Sequence, residues 1–469
     1  MTSSAAGGGT VYFPAGTYLV DPPSPGSPPV PCLTVPSFVT LEGVRGASTL
    51  HVTLRNNTLL QLTADPLFTP FPDGVTIRDL ILRGANQAQT YDDNNPRFAA
   101  GIYGNGTRRL LVERCTITQM GGSGIQLDAA REVVLRDNIL RENWNPDQNA
   151  FADIGFFDGL EKATITGNWC LSENDTGISI VSIDDDAREV YIAGNVCSGH
   201  RRHGIIGNNG RGIPDGVRIE GNVCNDNKWM GIYLNGDLEP ASGEPVSTGR
   251  TVIIGNTCSG NGESTSGDPG IRGGINVNGG FNVVVEGNEC SGNHRAGIKV
   301  RGTRIVVANN VVRESEKLTV PGTPPTTYDG HGIELWAGGP AASARELTVS
   351  GNRVYQCAGH GLLLIGVPDA FYYQTLPTEP TERVVVSANT SVENEKDGIH
   401  TWRVWGQQVT ANTCERNGEA GIRVRSSDER TLVPRTSART TTSTRTQGTG
   451  GPTRGSTSKG AARRATRWW

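Results

Sequence analysis

The chain has 469 residues, with 43 Lys and Arg against 47 Asp and Glu, for a net charge of −4 at pH 7. A near-balanced charge excludes a generally polybasic nucleic-acid binder, and no 18-residue apolar run exists to span a membrane. Nine cysteines occur without a CxxC or Cys/His spacing, which excludes a sequence-evident zinc site.

The first six residues carry no basic start or apolar core of a signal peptide. Gly7 to Val20 reads GGGTVYFPAGTYLV, a Gly-rich turn followed by two short strands. Asp21 to Pro36 is Pro-rich and reads as a loop. Thr40-Leu41-Glu42-Gly43 and Thr49-Leu50 continue the strand pattern.

From Leu110 to Val424 one unit recurs, typified by GNECSGNHRAGIKV at Gly287 to Val300. Its Asn falls at Asn138, Asn168, Asn195, Asn222, Asn256, Asn288, Asn310, Asn352, Asn389 and Asn412. The shortest steps are 22 and 23 residues. Fully extended, that is a loop of about 70 Å. It fits one three-sided turn of a solenoid, and longer steps are the same turn with a loop inserted. In GIKV, GISI, GIYL, GIEL and GINV the second and fourth positions are apolar and the third is free. That is a strand with one buried face. The fold predicted is all-β: a single-stranded, right-handed parallel β-helix of about 11–13 coils over residues 1–425.

The repeated Asn should stack on its equivalent one coil away, about 4.8 Å off. Cys170, Cys197, Cys224, Cys258, Cys290 and Cys414 share the place two residues later. They read as a column of small buried thiols. Polar stretches at Gly84 to Arg97, Pro240 to Arg250, Gly262 to Gly270, Lys317 to Asp329 and Pro368 to Glu382 read as loops that could wall a groove. Residues 426–469 break the pattern, with nine Lys or Arg against two acids and no repeat unit. They read as a basic low-complexity tail, disordered or frame-shifted.

The opening strand pair and the GN and GI repeats together resemble the pectate lyase superfamily. The resemblance covers about Gly7 to Arg425. It implies a parallel β-helix, a polysaccharide partner without nucleic acid or membrane, and an extracellular or cell-surface setting. It also implies a helical cap before the first strand; with six residues before Gly7, the chain is read as beginning late.

In such proteins the substrate lies along the parallel strands, and catalytic groups come from neighbouring coils. The first outward positions of the GI strands are Tyr103, Gln126, Ser179, Ile206, Tyr233, Asn276, Lys299, Glu334, Leu363, His400 and Arg423. The second set includes Asn208, Asn235, Asn278, Arg301 and Trp336. The Asn row suits sugar hydroxyls or simply an outer stacking ladder. Asp153, Asp175 and His203 start neighbouring coils, an order similar to the acids and His of polygalacturonases. Thr176 stands where that family has its second Asp, and Arg202 where it has a Gly. By that resemblance Asp153, Asp175 and His203 are the expected catalytic groups. Asn208, Tyr233, Asn235, Asn278, Lys299, Arg301, Glu334 and Trp336 are the expected substrate contacts. Two carboxyls on adjacent coils would serve glycoside hydrolysis.

Arg295, Lys299 and Arg301, with His331 and Glu334, form a second constellation, offering the base and cations that a uronate lyase needs. Phe157-Asp158-Gly159-Leu160-Glu161 lacks the His of the Asp-Pro-His-Glu motif of mannuronan epimerases. No cofactor is expected; Asp184-Asp185-Asp186 reads as a solvated acidic loop or a calcium site. The function expected is action on a probably acidic glycan, as a glycoside hydrolase or uronate lyase. The competing class is a non-catalytic carbohydrate-binding solenoid, such as an adhesin.

Overall fold

The computed structural model describes residues 8–22, 31–53, 57–63, 71–85, 100–143, 152–182, 187–209, 216–236, 250–264, 272–322, 324–336, 345–366, 382–402, 404, 406–425 and 437–439. Among them every long-range strand pairing is parallel, and the chain winds as a β-helix of triangular coils. Two faces join into one 24-stranded sheet. They merge because strands such as Ile125–Arg136, Gly273–Glu286 and Ala296–Ala308 run round a corner. The third face consists of two seven-stranded sheets.

The register is fixed by equivalent residues. Ile178, Ile205, Ile232, Ile275, Ile298 and Ile333 pair in succession along one face. Each of these side chains is buried, so a slip by one residue would turn an apolar row outward.

The repeated Asn residues form the predicted ladder. Asn256 Nδ2 donates to Asn288 Oδ1 at 2.9 Å and to Ile219 O at 3.0 Å. Its Oδ1 accepts from the backbone N–H and the side-chain amide of Asn222 at 2.9 and 3.0 Å. The same pattern links Asn138 through Asn412. Each amide is buried and satisfied by its neighbours, so burial carries little desolvation cost. The residue before each ladder Asn is left-handed. Gly fills that place at Gly167, Gly194, Gly221, Gly255, Gly287 and Gly351, and Asp137, Asn309, Ala388 and Ala411 take it elsewhere.

A second inward ladder was not foreseen. Asn227 Nδ2 donates to Asn261 Oδ1 and Asn261 Nδ2 to Asn293 Oδ1, at 3.0 and 2.9 Å. Ser172 and His200 stand nearby in earlier coils, which hides the period from the sequence. Eight of the nine cysteines are buried, Cys32 is half-buried, and all are unbridged. Burial pushes the Cys115 and Cys414 thiols up to about 12.

Two sequence expectations need revision here. The expected loop at Lys317 to Asp329 contains an antiparallel pair, Leu318–Val320 with Thr326–Tyr328. Within the expected tail, Ser437–Arg439 pairs in parallel with Thr413–Glu415, so the strand stacking passes residue 425. The rest of 426–469 lies outside the described residues, as do Asp184, Asp185 and Asp186.

Two outcomes follow from the interior. Asn256→Ala should lower the urea midpoint strongly, because each buried group left unpaired costs about 1–3 kcal/mol. A midpoint matching that of the unsubstituted chain would contradict the ladder's structural weight. Cys197, Cys224, Cys258 and Cys290 should react with a thiol reagent only at the rate of unfolding, as stopped labelling can measure.

Candidate active site

The outward row falls in the predicted register. Tyr233 pairs with Asn276, Asn276 with Lys299, and Lys299 with Glu334. Three places after each inward Ile, Asn208 pairs with Asn235, Asn235 with Asn278, Asn278 with Arg301, and Arg301 with Trp336. The Asn278 amide donates to Asn235 Oδ1 at 2.8 Å. The Asn208 side chain lies outside the described residues.

A further outward row precedes the Gly-Ile corner. Its register positions are Thr176, His203, Met230 and His331, of which Met230 is wholly buried. His203 stacks on Tyr233 with ring centres 5.1 Å apart and meets Trp229 edge-on at 5.5 Å. Trp229 lies between two guanidiniums, Arg202 at 4.7 Å and Arg272 at 4.5 Å. Arg272 is wholly buried and its Nε donates to Ser264 O at 2.8 Å. Arg202 Nε stands 3.2 Å from Asp175 Oδ1. Trp229 and Arg272 were missed by sequence reasoning. Their only signal was the shared place, two residues before the Gly of each repeat.

Burial raises the Asp175 carboxyl to about 6, against the pull of Arg202 and Arg201. Burial, with Arg202 and Arg272 nearby, pushes His203 down to about 3, so its imidazole is neutral. Asp175 therefore titrates near neutrality beside an uncharged ring and two cations.

Asp153 is elsewhere. In register it stands between Gly124 and Gly177. A Cβ at Gly177 would sit 2.7 Å from His200 Nε2 and 2.9 Å from Cys197 Cβ, both inward groups. At this corner the side chain turns into the coil. Asp153 is fully buried, and its carboxylate accepts from Ser172 N–H at 3.1 Å and the Asn174 amide at 3.2 Å. The pairing of Asp153 with Asp175 across a groove is thus corrected: one carboxylate faces the interior. Burial raises Asp153 to about 7 despite these donors.

Of the second constellation, Arg295, Lys299 and His331 gather around Glu334, and Arg301 stands in register with Trp336. Glu334 Oε1 lies 3.7 Å from Arg295 Nη2 and 3.8 Å from Lys299 Nζ, and the Trp336 indole N–H donates to it. Burial pushes Glu334 up, but Lys299, Arg295, His331 and Trp336 outweigh it and hold the carboxyl at about 2. Lys299 Nζ is 5.2 Å from the Trp336 ring centre, and Arg295 lies 5.0 Å over Tyr328. His331 Nδ1 accepts the His360 backbone N–H at 3.1 Å, so the neutral ring offers Nε2–H as a donor. Burial pushes His331 down to about 4.

Comparison with known proteins follows the same architecture. The sequence model described as right-handed β-helix region matches residues 42–187, 100–245 and 179–369. Mannuronan C5-epimerase AlgE6 of Azotobacter vinelandii is 30% identical over 188 residues, 39% of this chain and 20% of that protein. The match therefore spans about a fifth of the relative's length. Among solved structures, a double mutant of the tailspike protein of E. coli bacteriophage HK620 superposes with TM-score 0.58 at 13% identity, over 88% of this chain and 72% of that one. A tailspike mutant of the same phage in complex with a hexasaccharide gives TM-score 0.56 at 12% identity, over 89% and 73%. At these identities the likeness is one of fold.

The raised carboxyl of Asp153 has a consequence for stability. The folded protein holds this proton more tightly than the unfolded chain, so stability is lost as pH rises from about 4 to about 7. Asp153→Asn should remove that loss, gaining on the unsubstituted chain between pH 5 and pH 8 by a few kcal/mol at most. Parallel melting curves at the two pH values check it.

Proposed function

This chain belongs to the right-handed β-helix family, and we propose that its outward rows bind and act on an acidic polysaccharide by proton transfer at a uronate. The observation that carries this reading is the charge of the face. Arg202, Arg295, Lys299 and Arg301 line it against Asp175 and Glu334. Removing the proton next to a uronate carboxylate builds negative charge on that carboxylate, and fixed cations stabilise it. Asp175, ionised above about 6, is the base. Neutral His203 and the stacked Tyr233 supply the donor for the leaving oxygen or the opposite ring face. Asn235, Asn278, Lys299 and Arg301 hold neighbouring sugars.

The chemistry named for the 30%-identical relative, C5 epimerisation of mannuronan, begins with the same proton removal. Hydrolysis is the weaker reading. It needs paired carboxyls about 5–9.5 Å apart. Asp153 faces inward, and Glu334 stands five coils from Asp175, roughly 24 Å at about 4.8 Å per coil. A binding-only role is the second reading. The Asn235–Asn278 amide pair and the Tyr233 and Trp336 rings suit sugars without any chemistry.

The test is a panel of uronate and neutral polysaccharides, followed by the ultraviolet absorbance of unsaturated uronate and by NMR of ring configuration. Asp175→Asn should cut turnover by about 10²–10⁴-fold while leaving binding intact. Arg202→Gln removes the cation that lowers Asp175, so the acidic limb of the rate should move to higher pH. Undiminished turnover in Asp175→Asn would overturn the assignment. Binding without turnover on every uronate would leave the second reading standing.

A further inference from the structure

Beyond Glu334 the same face carries a cluster that neither the expected hydrolase pair nor the uronate chemistry uses. His360, Asp397 and His400 come from two adjacent coils, and their ligand atoms lie within 4.8 Å of one another. Asp397 Oδ2 stands 2.8 Å from His400 Nδ1 and 3.3 Å from His360 Nδ1. The His360, Asp397 and His400 side chains are 11%, 0% and 9% exposed.

The hydrogen bonding at His360 is the telling feature. The Asp397 backbone N–H donates to His360 Nδ1 at 3.2 Å, so that nitrogen carries a lone pair and no proton. The same nitrogen faces a carboxylate oxygen at 3.3 Å. Nδ1 has one in-plane lone pair, so an ion held between it and Asp397 Oδ2 would take the place of the Asp397 N–H contact. Meanwhile Asp397 Oδ1 accepts from Ala420 N–H at 2.9 Å and meets Arg423 Nη2 at 3.1 Å. These outer contacts aim Oδ2 at the two rings, as the supporting shell of a metal ligand does. A tetrahedral ion with bonds of about 2.0–2.2 Å sets its ligand atoms roughly 3.3 Å apart.

We propose that His360, Asp397 and His400 form a binding site for a divalent first-row transition metal, of which zinc is the type. Two imidazoles and one carboxylate suit such an ion, whereas calcium prefers an all-oxygen shell. Ligation through His400 Nδ1 places that ring's single proton on Nε2, so the neutral imidazole takes the ion by a change of tautomer. The site stands independently of Asp175 and its chemistry.

The full chain, stripped with a chelator, is titrated with cobalt(II) and separately with zinc in equilibrium dialysis. A single equivalent of cobalt should give the visible d–d band of a four- or five-coordinate site without a thiolate charge-transfer band, and zinc should displace it. His360→Gln and His400→Gln should each weaken binding by at least about tenfold. His294→Ala, an imidazole outside the cluster, should bind as the unsubstituted chain does. Circular dichroism of each variant separates lost binding from lost folding. If the unsubstituted chain takes up no stoichiometric cobalt, or if both folded Gln variants bind with full affinity, the proposal fails.

Discussion

The buried asparagine ladder is the contact on which the rest of the structure depends. Each Asn both donates to and accepts from the next coil, so one amide closes the hydrogen bonding of two turns. An amide inside an apolar prism is tolerated only when fully paired. That condition fixes the height and phase of every coil relative to its neighbour. The left-handed residue before each Asn makes the corner that delivers it. With phase fixed, the apolar rows point inward together, and equivalent outward positions must line up.

The alignment gives an extended face. Side chains far apart in sequence, such as Asp175 and Arg295, come to lie along one strip because each coil adds a single strand to it. Trp229 between Arg202 and Arg272 illustrates the economy of this arrangement. One ring separates two like charges and offers a π-face to both. The insertions fall between strands, so the strip stays continuous while the coil lengths vary.

Burial raises the carboxyls of this strip, and neighbouring charge then sets them apart. Asp153 and Asp175 both have raised carboxyls, yet one is held by donors within the coil and the other sits beside Arg202 on the outer face. Glu334 is also buried, but its cations overcome the desolvation. Near-neutral titration on the outer face is thus concentrated at Asp175, whereas the cluster at Asp397 is organised around an ionised carboxylate flanked by rings. Two chemical environments share one strip without sharing ligands.

The sequence by itself determined the coil, the first Asn ladder, the inward cysteines and the register of the outward Tyr233, Asn276, Lys299 and Glu334. These rest on local periodicity: a two-residue alternation and a motif that returns at each turn. The second ladder was less legible because Ser172 and His200 interrupt its Asn. Only the tertiary structure decided the direction of Asp153, because the chain turns at the Gly-Ile corner and sends two successive side chains inward, which alternation does not foresee. It also decided the meeting of His360 with Asp397 and His400. Those residues stand 37 and 40 positions apart in the chain, and only the stacking of one coil on the next brings their nitrogen and oxygen atoms within bonding reach of a common ion.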